Sequence, residues 1–297
     1  MLLVAFFLSI TNIYAADRPV PTPIDVPGRS PITLHIFTPS DTPKGVLVAL
    51  HGCGGLLSIN DKNGDMLSAR HAAMAKFANQ LGWVAVFPDS FTARGRREIC
   101  TQKFSERTIK QADRRADAIA TLQWVREQPW FDASNAMSSV LLGWSNGGST
   151  VLQTIETNKA DAALNKDRGA TFDQFAHNHS ALDISKLVTH AVAFYPGCSQ
   201  QLARDYNTRV PLTLFLGGKD DWTAPGPCIA LGKRVDAQVY VYADAHHGFD
   251  SPVGKVRLRS DVPNGVNPGQ GVHVGPDKAS REDAYAKLAA LLAGLSR

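Results

Sequence analysis

The sequence predicts an α/β fold in which a mainly parallel sheet carries helices on both faces. Short apolar runs recur along the chain, and residues 46–50 (Val-Leu-Val-Ala-Leu) form one without polar alternation. Such continuous runs are typical of strands that are buried on both faces of a parallel sheet. Segments with apolar residues at helical spacing separate these runs. An alternation of strands and helices indicates a parallel sheet with helices on its two sides.

The remaining elements follow in order along the chain. The Pro-rich residues 19–31 are expected to form an extended lead-in, and alternation at 32–36 predicts a half-buried edge strand. Residues 157–187 are interpreted as an insertion or cap-like segment and residues 251–279 as a loop, and both are expected to shape the pocket. Periodicity predicts buried strands at 46–50, 83–87, 140–142, 191–195 and 212–216, a strand nearer the edge at 239–242, and helices at 67–81, 109–126, 146–155 and 282–295.

The N-terminal residues 1–15 are predicted to be a secretory signal, which leaves residues 16–297 as one α/β domain. An apolar run at residues 2–8 is too short to span a bilayer and is followed by a small-residue site at Ala15. No Lys or Arg precedes this run, so a buried N-terminal strand is the alternative interpretation. We expect a secreted or periplasmic protein with no membrane span in the mature chain.

Composition and charge exclude several kinds of partner. The 297 residues include 31 Lys and Arg against 27 Asp and Glu, a formal net charge of +4, and the basic residues are scattered. No nucleic-acid partner is therefore expected. None of the four cysteines forms a Cys-x-x-Cys pair, which argues against a zinc ribbon. We expect neither a metal nor an organic cofactor, and the oligomeric state stays open.

A Gly-x-Ser-x-Gly pentapeptide, residues 143–147, ends the apolar run at 140–142 and precedes a segment with helical potential. This pattern is typical of a nucleophile elbow, a tight strand-to-helix turn that presents a serine hydroxyl above the sheet. Glycines flank the serine because the turn leaves no room for side chains there. Ser145 is thus the candidate nucleophile, and the alternative is an ordinary serine in a turn.

A serine nucleophile needs a base, and the base needs an acid that fixes its tautomer. Asp220 follows the strand at 212–216 and His247 follows the strand at 239–242, so both lie at strand ends that correspond to that of Ser145. The chain order Ser, Asp, His is the order found when this triad lies on a parallel α/β sheet. Asp221 is the rival acid and His246 the rival base, and Asp220 could also be a simple turn residue.

An oxyanion hole needs two backbone N–H groups aimed at the developing negative charge. One donor is expected from Asn146, the residue after the nucleophile. The second is expected from the glycine-rich loop at 51–55 that follows the strand at 46–50, and Cys53 is the best candidate. The alternative is that this loop is only a flexible turn.

With these residues in place, the chain resembles the dienelactone hydrolase family of α/β-hydrolases over roughly residues 32–295. The resemblance implies the α/β-hydrolase fold and favours Asp220 over Asp221, His247 as the base, and Cys53 as an oxyanion donor. The motifs that carry it are His51-Gly52-Cys53-Gly54-Gly55, Pro88-Asp89-Ser90-Phe91, Gly143-Trp144-Ser145-Asn146-Gly147-Gly148, Gly217-Gly218-Lys219-Asp220-Asp221-Trp222 and Ala245-His246-His247-Gly248-Phe249.

Two departures from the family pattern concern the nucleophile. The best-known members use a cysteine where this chain has Ser145, and a glutamate that controls the thiol where it has Gly52. A dienelactone substrate is therefore not transferred to this chain. Arg94 corresponds, with a one-residue shift, to a family arginine that meets the substrate carboxylate. Trp144 and Trp222 are further candidate substrate contacts.

Two disulfides are expected, since an even cysteine count in an exported protein is typical of disulfide pairing. The predicted order of strands places Cys53 and Cys100 on adjacent strand-end loops, and places Cys198 and Cys228 after neighbouring strands. This strand map favours the pairs Cys53–Cys100 and Cys198–Cys228. Buried free thiols are the alternative.

These features predict a serine hydrolase that cleaves small-molecule esters, lactones or thioesters through an acyl-enzyme on Ser145. One rival interpretation is an amide- or peptide-cleaving hydrolase on the same fold. The other is a non-catalytic binding module that has kept the fold.

Overall fold

The computed structural model describes residues 19–61, 64, 66–134, 137–157 and 183–296. The predicted signal at residues 1–15 lies outside the described residues, as does most of the predicted cap-like segment at 157–187. None of the described helices is long and apolar enough to cross a membrane.

The strands of the main sheet are β1 (Val20–Ile24), β2 (Ile32–Phe37), β3 (Gly45–Leu50), β4 (Trp83–Asp89), β5 (Ser138–Trp144), β6 (His190–Phe194), β7 (Leu212–Gly217) and β8 (Gln238–Tyr242). Within the described residues these eight strands form one sheet in the order β1-β2-β4-β3-β5-β6-β7-β8. Strands β3 to β8 are parallel, and β2 pairs antiparallel with both β1 and β4. The carboxyl ends of β3 to β8 therefore meet at one edge, where α/β proteins place their sites.

The edge of the sheet differs from the sequence prediction. Strand β1 forms within the expected lead-in and pairs with β2, so β2 is an interior, mostly buried strand. The prolines of β1, Pro21 and Pro23, are two residues apart and so direct their missing N–H positions to the same side. That side is the open edge, where a strand tolerates proline. Because prolines usually argue against a strand, the sequence pattern did not predict β1.

The six α-helices described are α1 (Ala69–Gln80), α2 (Gln111–Arg126), α3 (Asn146–Thr154), α4 (Ser199–Leu202), α5 (Pro225–Arg234) and α6 (Lys278–Leu295). One core cluster joins α2, α3 and α5 to one face of the sheet, and a second joins α1 and α6 to the other. Strand β3 serves both, with Val46 and Val48 in the first cluster and Leu47 and Ala49 in the second. Burial on both faces explains why this strand is continuously apolar.

A short hairpin stands over the carboxyl edge of the sheet, within the region that the sequence assigned to loop. It pairs β9 (Arg257–Arg259) with β10 (Val272–Val274). Val272 packs into a third apolar cluster with Cys53, Phe91 and Ile99. The hairpin therefore helps to cover the glycine-rich loop after β3. Strands of three residues with exposed basic side chains carry too weak a periodicity to be predicted.

Candidate active site

Ser145 occupies a strained turn between β5 and α3. Its backbone has φ 53° and ψ −117°, in the positive-φ region that non-glycine residues rarely adopt. The turn is held by the Ser145 N–H, which donates to the Phe194 carbonyl at 2.9 Å. A Cβ at Gly147 would lie 2.1 Å from the Leu50 carbonyl oxygen, so only glycine permits this close approach of α3 to β3. The local geometry is that of a nucleophile elbow.

Asp220 and His247 meet at the same edge of the sheet. The Nδ1 atom of His247 lies 2.8 Å from Oδ2 of Asp220, and each residue is only 5% exposed. A carboxylate at this distance favours the tautomer with the proton on Nδ1 and leaves Nε2 as the basic nitrogen. The structure thus joins the candidate acid and the candidate base, which are 27 residues apart in the sequence.

The Asp220 carboxylate is oriented by the turn that follows β7. Its Oδ1 accepts the backbone N–H groups of Trp222 at 2.9 Å and Thr223 at 2.8 Å. Its Oδ2 accepts the Thr223 hydroxyl at 2.9 Å, in addition to His247. Fixed donors of this kind hold the carboxylate in one rotamer, directed at His247.

The two rival residues point elsewhere. Asp221 accepts the backbone N–H of His273 at 2.8 Å and lies 2.7 Å from its Nδ1. The Nδ1–H of His246 donates to the Lys219 carbonyl at 3.0 Å. The geometry therefore favours Asp220 and His247 over their sequence neighbours.

Aromatic rings enclose the imidazole of His247. The rings of Tyr195 and Trp222 have centroids 4.6 Å and 4.8 Å from it. Tyr195, directly after β6, has a φ of 38°, so this strand end is also strained. The guanidinium of Arg259, on β9, lies 5.6 Å from the Trp222 ring centroid. These rings limit the positions open to the imidazole and form one wall of the site.

The glycine-rich loop after β3 lies against Ser145. A Cβ at Gly52 would lie 3.3 Å from the Trp144 carbonyl oxygen and 3.6 Å from the Ser145 Cβ. The buried His51 stabilises this loop, since its Nδ1–H donates to the Gly52 carbonyl at 2.8 Å and its Nε2 accepts the Ser90 N–H at 3.3 Å. Burial lowers the pKa of His51 well below its ordinary value, so the ring is neutral, as an accepting nitrogen requires.

The cysteines are paired as the strand map favoured. Cys53 is bonded to Cys100 with a Cα–Cα distance of 4.9 Å, and Cys198 to Cys228 at 5.0 Å. The first disulfide links the loop after β3 to the loop after β4. The second links the loop after β6 to α5. Both disulfides therefore anchor segments at the carboxyl edge of the sheet.

Two of the candidate substrate contacts have structural partners. Arg94 forms a two-pronged ion pair with the buried Asp117, at 2.7 Å for both nitrogens, and also donates to the Ser90 carbonyl. Trp144 is fully buried, and its indole N–H donates to Asp250 at 2.7 Å. Nothing in this geometry supports a substrate contact for either residue, and the assignment stays a prediction. Trp222, beside His247, is the candidate that lies at the site.

Sequence reasoning missed four residues that organise the site: Thr223, Tyr195, Asp250 and Arg114. Tyr195 ends the predicted strand at 191–195, and Thr223 lies in the loop after the predicted strand at 212–216, so their positions at strand ends were the available signal. Asp250 and Arg114 act through partners far away in the sequence, so no local pattern marks them. Among the described residues, no group of three or more His, Cys, Asp or Glu side chains is placed to hold a metal ion.

The order of the strands, the elbow at Ser145 and the position of the Asp220–His247 pair are those of the α/β-hydrolase fold. Residues 173–295 match the model of the dienelactone hydrolase family, which confirms the resemblance over the part that carries Asp220 and His247. A dienelactone is a cyclic ester, so the matched family is one of hydrolases that act on ester bonds. Ser145 and the loop after β3 lie outside the matched residues.

Solved structures share this fold at low sequence identity. A dienelactone hydrolase-like promiscuous phosphotriesterase from metagenomic libraries has a TM-score of 0.60 at 18% identity, covering 94% of this chain and 100% of its own. Esterase 2 of Thermogutta terrifontis, phosphorylated by paraoxon, has 0.56 at 19%, covering 92% of each chain. Dienelactone hydrolase of Anabaena variabilis has 0.56 at 12%, covering 94% and 100%. Curated proteins gave no match.

Proposed function

We propose that the protein hydrolyses carboxylic esters, lactones or thioesters with Ser145 as nucleophile, His247 as base and Asp220 as acid. The observation that carries the proposal is the 2.8 Å contact between His247 and Asp220 at the sheet edge where the strained Ser145 turn lies. A serine in such a turn is exposed to substrate, and an imidazole oriented by a carboxylate can take its proton. No metal or organic cofactor takes part in the proposed reaction.

The proposed reaction has two stages. The Ser145 oxygen forms a bond to the substrate carbonyl carbon while its proton passes to Nε2 of His247. The tetrahedral intermediate then loses its alcohol, or its thiol in a thioester, which takes that proton as it leaves, and an acyl-enzyme remains. A water molecule next gives a proton to His247 and attacks the acyl carbon. The second tetrahedral intermediate releases the acid as His247 returns the proton to the Ser145 oxygen. Asp220 stays ionised throughout and stabilises the imidazolium.

The backbone N–H groups of Cys53 and Asn146 are the proposed oxyanion donors. Asn146 is the first residue of α3, where unpaired N–H groups and the helix dipole favour a negative charge. The proximity of Gly52 to Ser145 supports a donor from the adjacent Cys53. Two preorganised donors stabilise the transition state more than the ground state, because the full charge exists only there.

We further propose that residues 1–15 are an export signal and that residues 16–297 form one secreted or periplasmic domain. The two disulfides support this location, since disulfides persist in oxidising compartments. Mass spectrometry of the protein from an exporting host should find cleavage near Ala15 or Ala16. An intact N-terminus in the exported protein would contradict the signal.

The decisive experiment compares wild-type protein with Ser145→Ala and a control, Ser251→Ala, which removes a hydroxyl bonded to the Val253 carbonyl. Wild type and control should hydrolyse p-nitrophenyl esters and react with a fluorophosphonate or paraoxon, one label per chain. Ser145→Ala should lose both activities. Retained labelling in this variant would contradict the nucleophile assignment. Faster cleavage of peptides than of esters would favour an amidase, and inert wild type would favour a binding module.

A further inference from the structure

Arg114, on α2, is almost fully buried, with 2% of its surface exposed. Its Nη1 donates to the side-chain Oδ1 of Asn146 at 2.5 Å, and its Nη2 donates to the backbone carbonyl of His51 at 2.6 Å. These acceptors belong to different segments. Asn146 begins α3, and His51 begins the loop that contains Cys53. One guanidinium therefore joins the two segments from which the oxyanion donors are proposed to come.

The positive charge of Arg114 lacks a directly paired carboxylate. Among the described residues, none is within ion-pair distance of this guanidinium, and Asp117, one turn further along α2, is engaged by Arg94. Burial lowers the pKa of Arg114 to about 9, which leaves the group charged at neutral pH. After burial, the charge of Arg114 is the next cause that lowers the pKa of His51. The field of this cation thus extends into the loop after β3.

Other contacts hold Arg114 in place. The guanidinium lies 5.1 Å from the ring centroid of Phe91, where a planar cation is attracted to the aromatic face. Its planar fork reaches two acceptors at once, which an ammonium group could not do in the same geometry. The two short hydrogen bonds and the ring leave the side chain little freedom. Such rigidity is what a preorganised charge requires.

On the basis of the proposed function, we propose that Arg114 is a positioning residue for the oxyanion hole. It holds the Cys53 and Asn146 segments in a fixed relative position and supplies a buried positive charge behind them. It touches no reacting atom and acts through Asn146 and His51. A charge in a dry site is weakly screened, so its effect on a developing oxyanion exceeds that of a surface charge. The electrostatic stabilisation by Arg114 arises only when the substrate carbonyl oxygen becomes negative. Arg114 should therefore increase kcat and leave substrate binding unchanged.

The test compares Arg114→Gln and Arg114→Lys with wild type and with a control, Arg115→Gln. Arg115 is the next residue of α2, and its Nε donates to the Gln153 carbonyl. Active sites are first counted by complete labelling with a fluorophosphonate, so that misfolded protein does not affect the rates. Each variant is then assayed with a p-nitrophenyl ester and with a trifluoromethyl ketone, which forms a tetrahedral oxyanion on the serine.

Arg114→Gln should lower kcat per active site by about 10- to 100-fold, with KM within about twofold of wild type. Its inhibition constant for the trifluoromethyl ketone should rise by the same factor as kcat falls. Arg114→Lys should be intermediate, since it keeps the charge and loses the fork. Arg115→Gln should match wild type in all three quantities. These paired changes would not follow from a purely structural role, which would reduce only the number of active sites.

A wild-type kcat per active site in Arg114→Gln, or unchanged ketone inhibition, would overturn the inference. If Arg114→Gln fails to fold, Asn146→Ala decides by the same two measurements, because it breaks the link but keeps the backbone donor and Arg114. Failure of the proposed function would differ, since wild type itself would then neither turn over the ester nor react with the fluorophosphonate.

Discussion

The indole N–H of Trp144 donates to the carboxylate of Asp250 at 2.7 Å, and this bond ties the residue before Ser145 to the loop that carries His247. The same carboxylate, fully buried, accepts the Tyr195 hydroxyl at 2.5 Å and forms an ion pair with Arg70 at 3.0 Å. One side chain therefore connects β5, the end of β6, α1 and the loop after β8. This network holds the strand ends of the site in a fixed relation.

Asp250→Asn is expected to lower the free energy of unfolding by about 3 kcal/mol, because it removes the charge of a fully buried carboxylate and leaves the partly buried Arg70 without its partner. Urea denaturation measures this loss. Asp283→Asn is the matched control, since Asp283 also accepts a tyrosine hydroxyl, from Tyr242, and pairs with Lys287, but is 48% exposed. The control should cost no more than about 1 kcal/mol. Equal losses of unfolding free energy in both variants would show that the buried network stabilises the fold no more than the exposed one does.

Asp220→Asn should lower kcat by about 10⁴-fold, since an amide in this position favours the wrong imidazole tautomer. Asp221→Asn is the control, because this neighbouring carboxylate pairs with His273 and is partly exposed. It should keep kcat within a few-fold of wild type. Ester hydrolysis per titrated active site measures both. A larger loss in Asp221→Asn would reverse the assignment of the acid.

Removal of the two disulfides should have different effects on activity. They close sequence separations of 47 residues for Cys53–Cys100 and 30 for Cys198–Cys228, so each double Ala variant should lose about 4 kcal/mol of stability. Only the Cys53→Ala/Cys100→Ala variant should also lose kcat per active site, because this disulfide holds the loop whose Cys53 backbone N–H is the proposed oxyanion donor. Urea denaturation and ester assays at low temperature separate the two effects. An equal loss of kcat in both variants would count against a special role for the Cys53 loop.

Stability should fall with acid partly through His71. Burial, and next the charge of Arg70, lower the pKa of His71 to about 3 from an ordinary value of 6.5. Between these values the unfolded chain binds a proton that the folded chain does not. The free energy of unfolding therefore falls as pH drops through this window, by about 1.4 kcal/mol per pH unit.

His71→Asn keeps a donor for the Leu56 carbonyl, which His71 Nδ1 contacts at 2.9 Å, and removes the titrating ring. Urea denaturation measures the free energy of unfolding of this variant and of wild type at about pH 6.5 and pH 5. Between these pH values the variant should lose about 2 kcal/mol less than wild type loses. An unchanged pH dependence in His71→Asn would contradict the assignment.

Much of the fold could be predicted because its signals are local. A strand buried on both faces must be apolar at successive positions, and β3 to β7 all met this requirement. The pentapeptide around Ser145 likewise encodes a turn through two nearby glycines. Strand β1 was not predicted, because its prolines argue against an interior strand although they are tolerated in an edge strand. The β9–β10 hairpin escaped because its strands are short and half exposed.

The candidate site also has features that the sequence predicted and features that only the structure could decide. Chain order, strand ends and family resemblance pointed to Ser145, Asp220 and His247, but did not choose on geometry between Asp220 and Asp221. That choice required the direction of each side chain, which depends on the turn after β7 and on its N–H donors. The substrate contacts were the weakest predictions. Arg94 and Trp144 have suitable residue types, yet their side chains pair with the carboxylates of Asp117 and Asp250.

The sequence by itself determined the α/β class, the candidate nucleophile and the order of the three proposed catalytic residues, and it favoured the cysteine pairing that the structure has. Tertiary structure alone decided which buried charges support them. Arg114 reaches Asn146 and His51 across 32 and 63 residues of chain, and Trp144 reaches Asp250 across 106. Periodicity and turn chemistry act over a few residues, whereas a buried charge is stabilised by whatever the folded chain brings within hydrogen-bond distance. Partners at such separations leave no local pattern in a single sequence.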